Sequence, residues 1–210
     1  MNRREYRITI YQILSEALKE PRGAFGDEQE DIVDFLQSAF KALQYPIDSE
    51  SYQSWPKLSK DINSLKNDYR LSFLYPAVNR VLPIESIYMQ WTFDETAEVP
   101  FAKEKGHLMS DFALHMQALY KQYQLSIPEE YGSMPDHLCL ELEFYAFLLE
   151  NENLERQKVF MNEHLNWVDQ LYQDAVKQDI PMFYRQVIQV ITEFLKYEKQ
   201  SLTGSDRIVF

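Results

Sequence analysis

Residues Ser133 to Glu150 read SMPDHLCLELEFYAFLLE, a Pro-Asp-His triplet opening onto a run that is almost wholly apolar. An acid beside an imidazole, with Glu141 and Glu143 just behind, has the makings of a metal site, a general acid–base pair or a docking surface. It equally has the makings of a polar helix start. In that plainer reading Asp136 caps the helix or complements its positive end, and His137 packs or pairs with Glu141 at i and i+4.

The helical period extends outward in both directions. Upstream, Tyr6, Ile10, Ile13, Leu14, Ala17 and Leu18 define an N-terminal amphipathic helix, ended by a break at Pro21, Gly23 and Gly26. Asp27 with Glu30 predicts a capping box ahead of Ile32, Val33, Phe35, Leu36, Ala39, Phe40 and Leu43, and Pro46 closes that helix. The spacing of Leu58, Ile62, Leu65, Tyr69 and Phe73 predicts a third helix. Residues 74–106, with Pro76, Pro83 and Pro100, read as loop with at most short helical turns. The period returns at Leu108, Phe112, His115, Met116 and Leu119, and Ser126 with Glu129 predicts a second capping box around a short turn. Downstream of the opening stretch, Met161, Leu165, Val168, Tyr172 and Ala175 predict one helix. Phe183, Val187, Ile188, Ile191, Phe194 and Leu195 predict the last, and the polar tail QSLTGSDRIVF is expected to fray. The nine prolines fall at or between these segments, so breakers and periods agree on an all-α chain.

Composition narrows the function. Apolar residues make up 45% and charged residues 26%, an ordinary globular balance, and five glycines with no period-two alternation disfavour sandwiches, barrels and Gly-rich nucleotide folds. A formal charge of −12, from 33 acidic and 21 basic residues, repels phosphate backbones and anionic lipid. The single cysteine, Cys139, supports neither a disulfide framework nor a Cys-based zinc site and fits a reducing cytoplasm. Arg3-Arg4 superficially resembles a twin-arginine signal, but Ser15, Glu16, Lys19 and Glu20 leave no apolar h-region behind it. No stretch approaches the ~18 apolar residues of a membrane span, so a soluble, cytoplasmic protein is expected.

Catalytic machinery is hard to assemble. A di-metal carboxylate bundle needs two Glu-x-x-His motifs, and only Glu104-Lys105-Gly106-His107 is present. Zinc on His137 and Glu141 would need a third ligand from His107, His115 or His164, and the spacing nominates none. There is no Gly-x-Ser-x-Gly elbow and no phosphate-cradling Gly-rich loop, and Cys139 sits in an apolar run. His164 and Trp167, at i and i+3, read as a core stripe, as do Tyr69 and Phe73. The residues by themselves leave two functions open, a metal-dependent helical enzyme using His137, Glu141 and His164, or a general helical interaction protein.

Four ordered segments resemble the TorD/DmsD/NarJ superfamily of molybdoenzyme chaperones. DYRLSFLYP, Asp68 to Pro76, is similar to that family's acidic-Tyr-x-x-Leu-Phe-x-x-Pro segment. LPIESIYM, Leu82 to Met89, resembles its Pro-x-Glu-Ser-Val-Tyr segment through Pro83, Glu85, Ser86 and Tyr88. MPDHL resembles its Glu-Pro-x-His hinge signature, with Met134 in place of the usual Glu, and FMNEHLNWVDQ resembles its Phe-x-x-x-His-Leu-x-x-Trp helix, with one residue in place of two between Leu165 and Trp167. Ser72 and Tyr75 also depart from the residues usual at their positions. The resemblance covers roughly residues 5 to 200.

The resemblance implies a single all-α helical-bundle domain over 1–210, with an N-terminal part over about 1–125, a hinge near 126–136 carrying Pro135, Asp136 and His137, and C-terminal helices over about 137–200. It implies a non-enzymatic cytoplasmic protein that binds the twin-arginine signal peptide or apo-form of a molybdopterin-containing catalytic subunit, assists cofactor insertion and delays export. Client contacts are expected from Asp68, Tyr69, Phe73, Pro76, Pro83, Glu85, Ser86, Tyr88, Asp136, His137, His164 and Trp167. Neither a metal nor a cofactor is expected; weak guanine-nucleotide binding and a domain-swapped dimer, as opposed to a monomer, are implications of the resemblance alone. The physics is compatible: carboxylates pair with arginine, at about 1.5–3 kcal/mol for a charge-assisted bond, and aromatic walls take the apolar part.

Overall fold

The computed structural model describes residues 1–22 and 28–204. Gly23, Gly26 and Asp27, and with Asp27 the first predicted capping box, lie outside the described residues, as does the tail from 205 onward. The described residues form helices and turns with no named strand: α1 Arg3–Ala17, α2 Gln29–Leu43, α3 Trp55–Leu58, α4 Ile62–Phe73, α5 Glu85–Tyr88, α6 Asp111–Gln122, α7 Leu138–Asn151, α8 Leu154–His164, α9 Val168–Lys177 and α10 Met182–Thr203. The all-α expectation holds. No described helix is long and apolar enough to cross a membrane.

The apolar run behind Pro-Asp-His is α7, and it is the centre of the molecule. Leu138, Cys139, Leu140, Leu142, Phe144, Tyr145, Ala146, Leu148 and Leu149 are all buried, so the helix is covered on nearly every side. It packs most extensively on α1 and also on α8; α10 covers α9 and reaches α4, α8 and α1. One polar clamp ties this layer together. The buried carboxylate of Glu198 on α10 accepts from Arg7 Nε and Nη2 at 2.9 and 2.8 Å, from Tyr11 Oη at 3.1 Å and from Tyr45 Oη at 2.8 Å. Four donors on two oxygens satisfy a charge that would otherwise be costly to bury.

Several predicted boundaries are corrected. The third helix is two: Ser59 Oγ bonds back to Trp55 O at 2.7 Å, and Asp61 accepts from the amides of Asn63 and Ser64 at 3.1 and 3.3 Å, so a new helix starts at Ile62. The helix predicted through Met161 and Ala175 is also two. At the end of α8 side chains take over the free carbonyls: Asn166 Nδ2 bonds Asn162 O at 2.5 Å, Trp167 Nε1 bonds His164 O at 2.9 Å and Lys199 Nζ bonds Leu165 O at 3.0 Å. The turn Glu129–Tyr131 is entered at Pro128 without a side-chain cap, so Ser126 and Glu129 form no capping box. Leu108 is exposed, and α6 begins only at Asp111, capped by Ser110. An unpredicted capping box starts α1, with Asn2 Oδ1 accepting from Glu5 N at 3.0 Å and Glu5 Oε2 from Asn2 N at 2.8 Å.

Candidate functional site

Two motifs separated by fifty residues meet side by side. Ile84 and His137 form an isolated antiparallel bridge, Glu85 N donates to Asp136 O at 3.0 Å and Leu138 N donates to Pro83 O at 2.8 Å. The starts of α5 and α7 are thereby joined. Asp136 does not cap α7, contrary to the expectation. Its Oδ2 accepts from Ser86 N at 2.7 Å and from the Ser86 hydroxyl, which also meets Ser110 Oγ at 2.7 Å. His137 takes the capping position instead, its Nδ1 accepting from Cys139 N at 3.3 Å and lying 3.0 Å from Cys139 Sγ. Nor does His137 pair with Glu141, which reaches Trp167 Nε1 at 3.2 Å.

Around this junction a buried polar cluster is built from α5, α7 and the end of α8. His164 Nδ1 lies 2.7 Å from Glu85 Oε2, and its Nε2 lies 2.8 Å from Nδ1 of the exposed His115 on α6. Glu85 and Glu141 are fully buried and meet each other. Burial pushes the Glu85 carboxyl up to about 9, with a hydrogen bond from Glu141 pulling against it. Burial, then the repulsion of Glu85 and Asp136, lifts Glu141 well above the carboxylate range. Oε1 of each has no partner among the described residues outside the pair, and the raised carboxyls favour a pair that keeps a proton. Burial drives His164 and His137 down to about 3, so both imidazoles are neutral. Burial also raises the Cys139 thiol to about 12, which leaves it inert as a nucleophile.

Most of the sequence-predicted client residues therefore face inward. Phe73, Glu85, Ser86, Tyr88, Asp136, His137, His164 and Trp167 are buried, as are Pro83 and Pro135. Tyr88 stacks on Trp167 with centroids 5.1 Å apart, and Phe73 packs on Tyr184 at 5.0 Å. Asp68 and Tyr69 are half-buried and Pro76 is exposed. Burial raises the carboxyl of Asp68, and takes the Tyr69 phenol up to about 12.

The surface beside them holds residues that were not among the expected client contacts. In the last turn of α4 and just past it, Leu71 and Leu74 are partly exposed, and Tyr75 and Val78 are 84% and 91% exposed. Next to this strip lies a pocket of about 480 Å³, walled by Tyr69, Leu74, Tyr131 and Met134 and rimmed by Glu20, Glu130, Lys19, Arg22 and Lys66. Two groupings could hold a metal: Glu85, Glu141 and His164, all buried, and His115, Glu163 and His164 at the surface. His137 joins neither, so the set His137, Glu141 and His164 is not assembled. Sequence reasoning missed Ser110, and it offered His115 only as one of three possible third ligands beside His137 and Glu141. A Ser-Asp pair ahead of an apolar period marked the first as a cap; nothing distinguished the second from its helix's apolar face.

Comparison with known proteins gives this arrangement its lineage. Residues 25–173 match the model of the family described as nitrate reductase delta subunit. Three relatives are each named chaperone protein TorD. That of Shewanella piezotolerans is 26% identical over 152 residues, covering 70% of this chain and 67% of the relative. That of Aliivibrio fischeri is 22% identical over 211 residues, covering 86% and 97%. That of Photobacterium profundum is 25% identical over 154 residues, covering 68% and 65%. With most of its length inside the family model, the chain belongs to the nitrate reductase delta subunit family, the TorD/NarJ/DmsD-type chaperones, a family of chaperones and not of enzymes.

Proposed function

We propose that this chain is a system-specific chaperone of the cytoplasm. It binds the twin-arginine leader, the apo-form, or both, of the catalytic subunit of a molybdopterin-containing oxidoreductase, assists cofactor insertion and delays export. The observation that carries the reading is the exposed apolar strip of Leu71, Leu74, Tyr75 and Val78 beside the Tyr69 pocket. Apolar side chains this exposed, grouped along one segment and next to a concavity, suit a partner more than solvent. The segment also coincides with the first of the four family-like motifs.

A leader peptide offers an apolar stretch and a cationic start. The strip and the pocket walls suit the first, and Glu20, Glu130 and the half-buried Asp68 suit the second. Glu85, Ser86, Asp136, His137, His164 and Trp167 then act from beneath, fixing the segments that present the surface.

Calorimetry tests this with two titrants, the leader peptide of the cognate reductase and its apo-subunit. Binding of either at micromolar or better affinity, weakening as salt rises, is expected. No binding to either overturns the reading.

A further inference from the structure

We propose that His115, Glu163 and His164 form a binding site for a divalent transition-metal ion of the zinc type, in the pocket between α6 and α8. One ligand atom from each of the three residues lies within 4.8 Å of the others. The two imidazoles converge most closely, with His115 Nδ1 2.8 Å from His164 Nε2. They lie in an open pocket of about 420 Å³ whose walls include Met89, Phe112 and Asn162, so an ion can enter and keep water in its remaining position.

The orientation of His164 is the strongest argument. Its Nδ1 is held 2.7 Å from the buried Oε2 of Glu85, which turns Nε2 outward. An imidazole that leans one nitrogen on a buried carboxylate and offers the other to an open space has the arrangement that supports metal-bound histidines. With the ion in place, Nδ1–H donates to Glu85 and Nε2 gives its lone pair to the metal. Glu141 meets Glu85 from behind, and Oε1 of each carboxyl has no donor among the described residues.

Tetrahedral zinc with Zn–N near 2.0–2.1 Å places its ligand atoms about 3.3 Å apart. The imidazole nitrogens need to separate by only about half an ångström, within reach of the exposed His115. Two nitrogens and one carboxylate favour zinc, cobalt or nickel over magnesium or calcium. The ion would pin α6, before the Pro135–His137 segment, to α8, after it. The inference does not depend on the client-binding reading.

The test is metal titration of the purified full chain, stripped with chelator, using zinc and cobalt chlorides with magnesium as control. One zinc per chain is expected, with a cobalt absorption spectrum of mixed nitrogen and oxygen ligation. The melting temperature should rise by about 5–10 °C at a hundredfold excess over Kd. His115→Ala, at an exposed position, should fold normally and lose at least tenfold in zinc affinity. Glu163→Gln should lose affinity to a smaller extent. Glu85→Gln reports on positioning, with an expected 10–100-fold loss while stoichiometry is kept. Absence of stoichiometric zinc binding, equal binding of magnesium, or unchanged affinity in His115→Ala would overturn the proposal and leave the two rings as a hydrogen-bonded pair only.

Discussion

Asp136, at the mouth of α7, accepts at one oxygen from both the amide, at 2.7 Å, and the hydroxyl of Ser86, at the start of α5. Ser110, the cap of α6, joins the same hydroxyl at 2.7 Å, so one carboxylate fixes the starts of three helices. Burial raises the Asp136 carboxyl, and the two Ser86 donors pull it back down. The group is fully buried, so its first duty is structural.

Ser86→Ala should therefore cost about 1.5–3 kcal/mol, the scale of a hydrogen bond to a charged group, measured by urea unfolding. The double variant Asp136→Asn with His137→Ala should melt earlier still, because it removes this junction and the cap of α7 together. A client-binding role confined to the surface would leave both melting temperatures unchanged.

The Arg7–Glu198 clamp makes a second prediction. Glu198→Gln leaves the guanidinium of Arg7, mostly buried, without its counter-charge and turns one of two acceptor oxygens, which together take four donors, into a donor group. Breaking such a pair costs about 3–5 kcal/mol, which for a chain of this size lowers the melting temperature by about 6–20 °C. Replacing both partners, Arg7→Met with Glu198→Leu, should recover part of that loss. If the single and double variants melt together, the ion pair contributes nothing specific.

The periodic positions locate α1, α2, α6 and α10 because each buries a stripe, and the stripe is written in the order of residues; α7, buried on nearly every side, shows instead as an unbroken apolar run. The breaks after Leu58 and after His164 were not legible. They depend on side chains that take over backbone groups, Ser59 and Asp61 in one case, Trp167 and Lys199 in the other, and Lys199 arrives from 34 residues away. Distance in sequence also hid the polar cluster. Glu85 and His164 are 79 residues apart and Arg7 and Glu198 are 191 apart, so no local spacing connects them. Motif residues that read as candidates for a groove turned out to satisfy one another in the interior. The exposed Leu74 and Val78 carry no signal because a single apolar residue in a loop has no period to break, and Tyr75 stands out only as a departure from the family-like segment.

Acid should destabilise the fold in part through His137. Its ring faces Cys139 and Tyr131, with the Tyr131 centroid 5.0 Å away, and no described carboxylate hydrogen-bonds to it. Burial lowers its pKa to about 3, below the unfolded value near 6.5. The unfolded chain thus binds a proton that the folded chain does not. The contribution is complete above pH 6.5 and is lost as pH falls toward 3, with a slope of about 1.4 kcal/mol per pH unit for this one group. His137→Asn keeps a good capping residue and removes the titration. Urea unfolding between pH 6 and 4 should show a slope shallower by about that amount, and an unchanged slope would mean that His137 is charged in the fold.

The client surface is best tested where burial is not at stake. Leu74→Asp with Val78→Asp changes two exposed side chains, so the stability cost should stay within about 0.5 kcal/mol per site. Both positions lie on the strip beside the Tyr69 pocket, where an apolar leader or an unfolded subunit would have to lose contact. Affinity for the cognate leader or apo-subunit should fall at least tenfold, about 1.4 kcal/mol. Val159→Asp on α8, half exposed and remote in sequence from the strip, serves as control and should bind as the unaltered chain does. Because net charge becomes more negative in both variants, by two in the strip variant and by one in the control, only a loss well beyond that of the control counts. A strip variant that binds as tightly as the control would move the client surface elsewhere on the molecule.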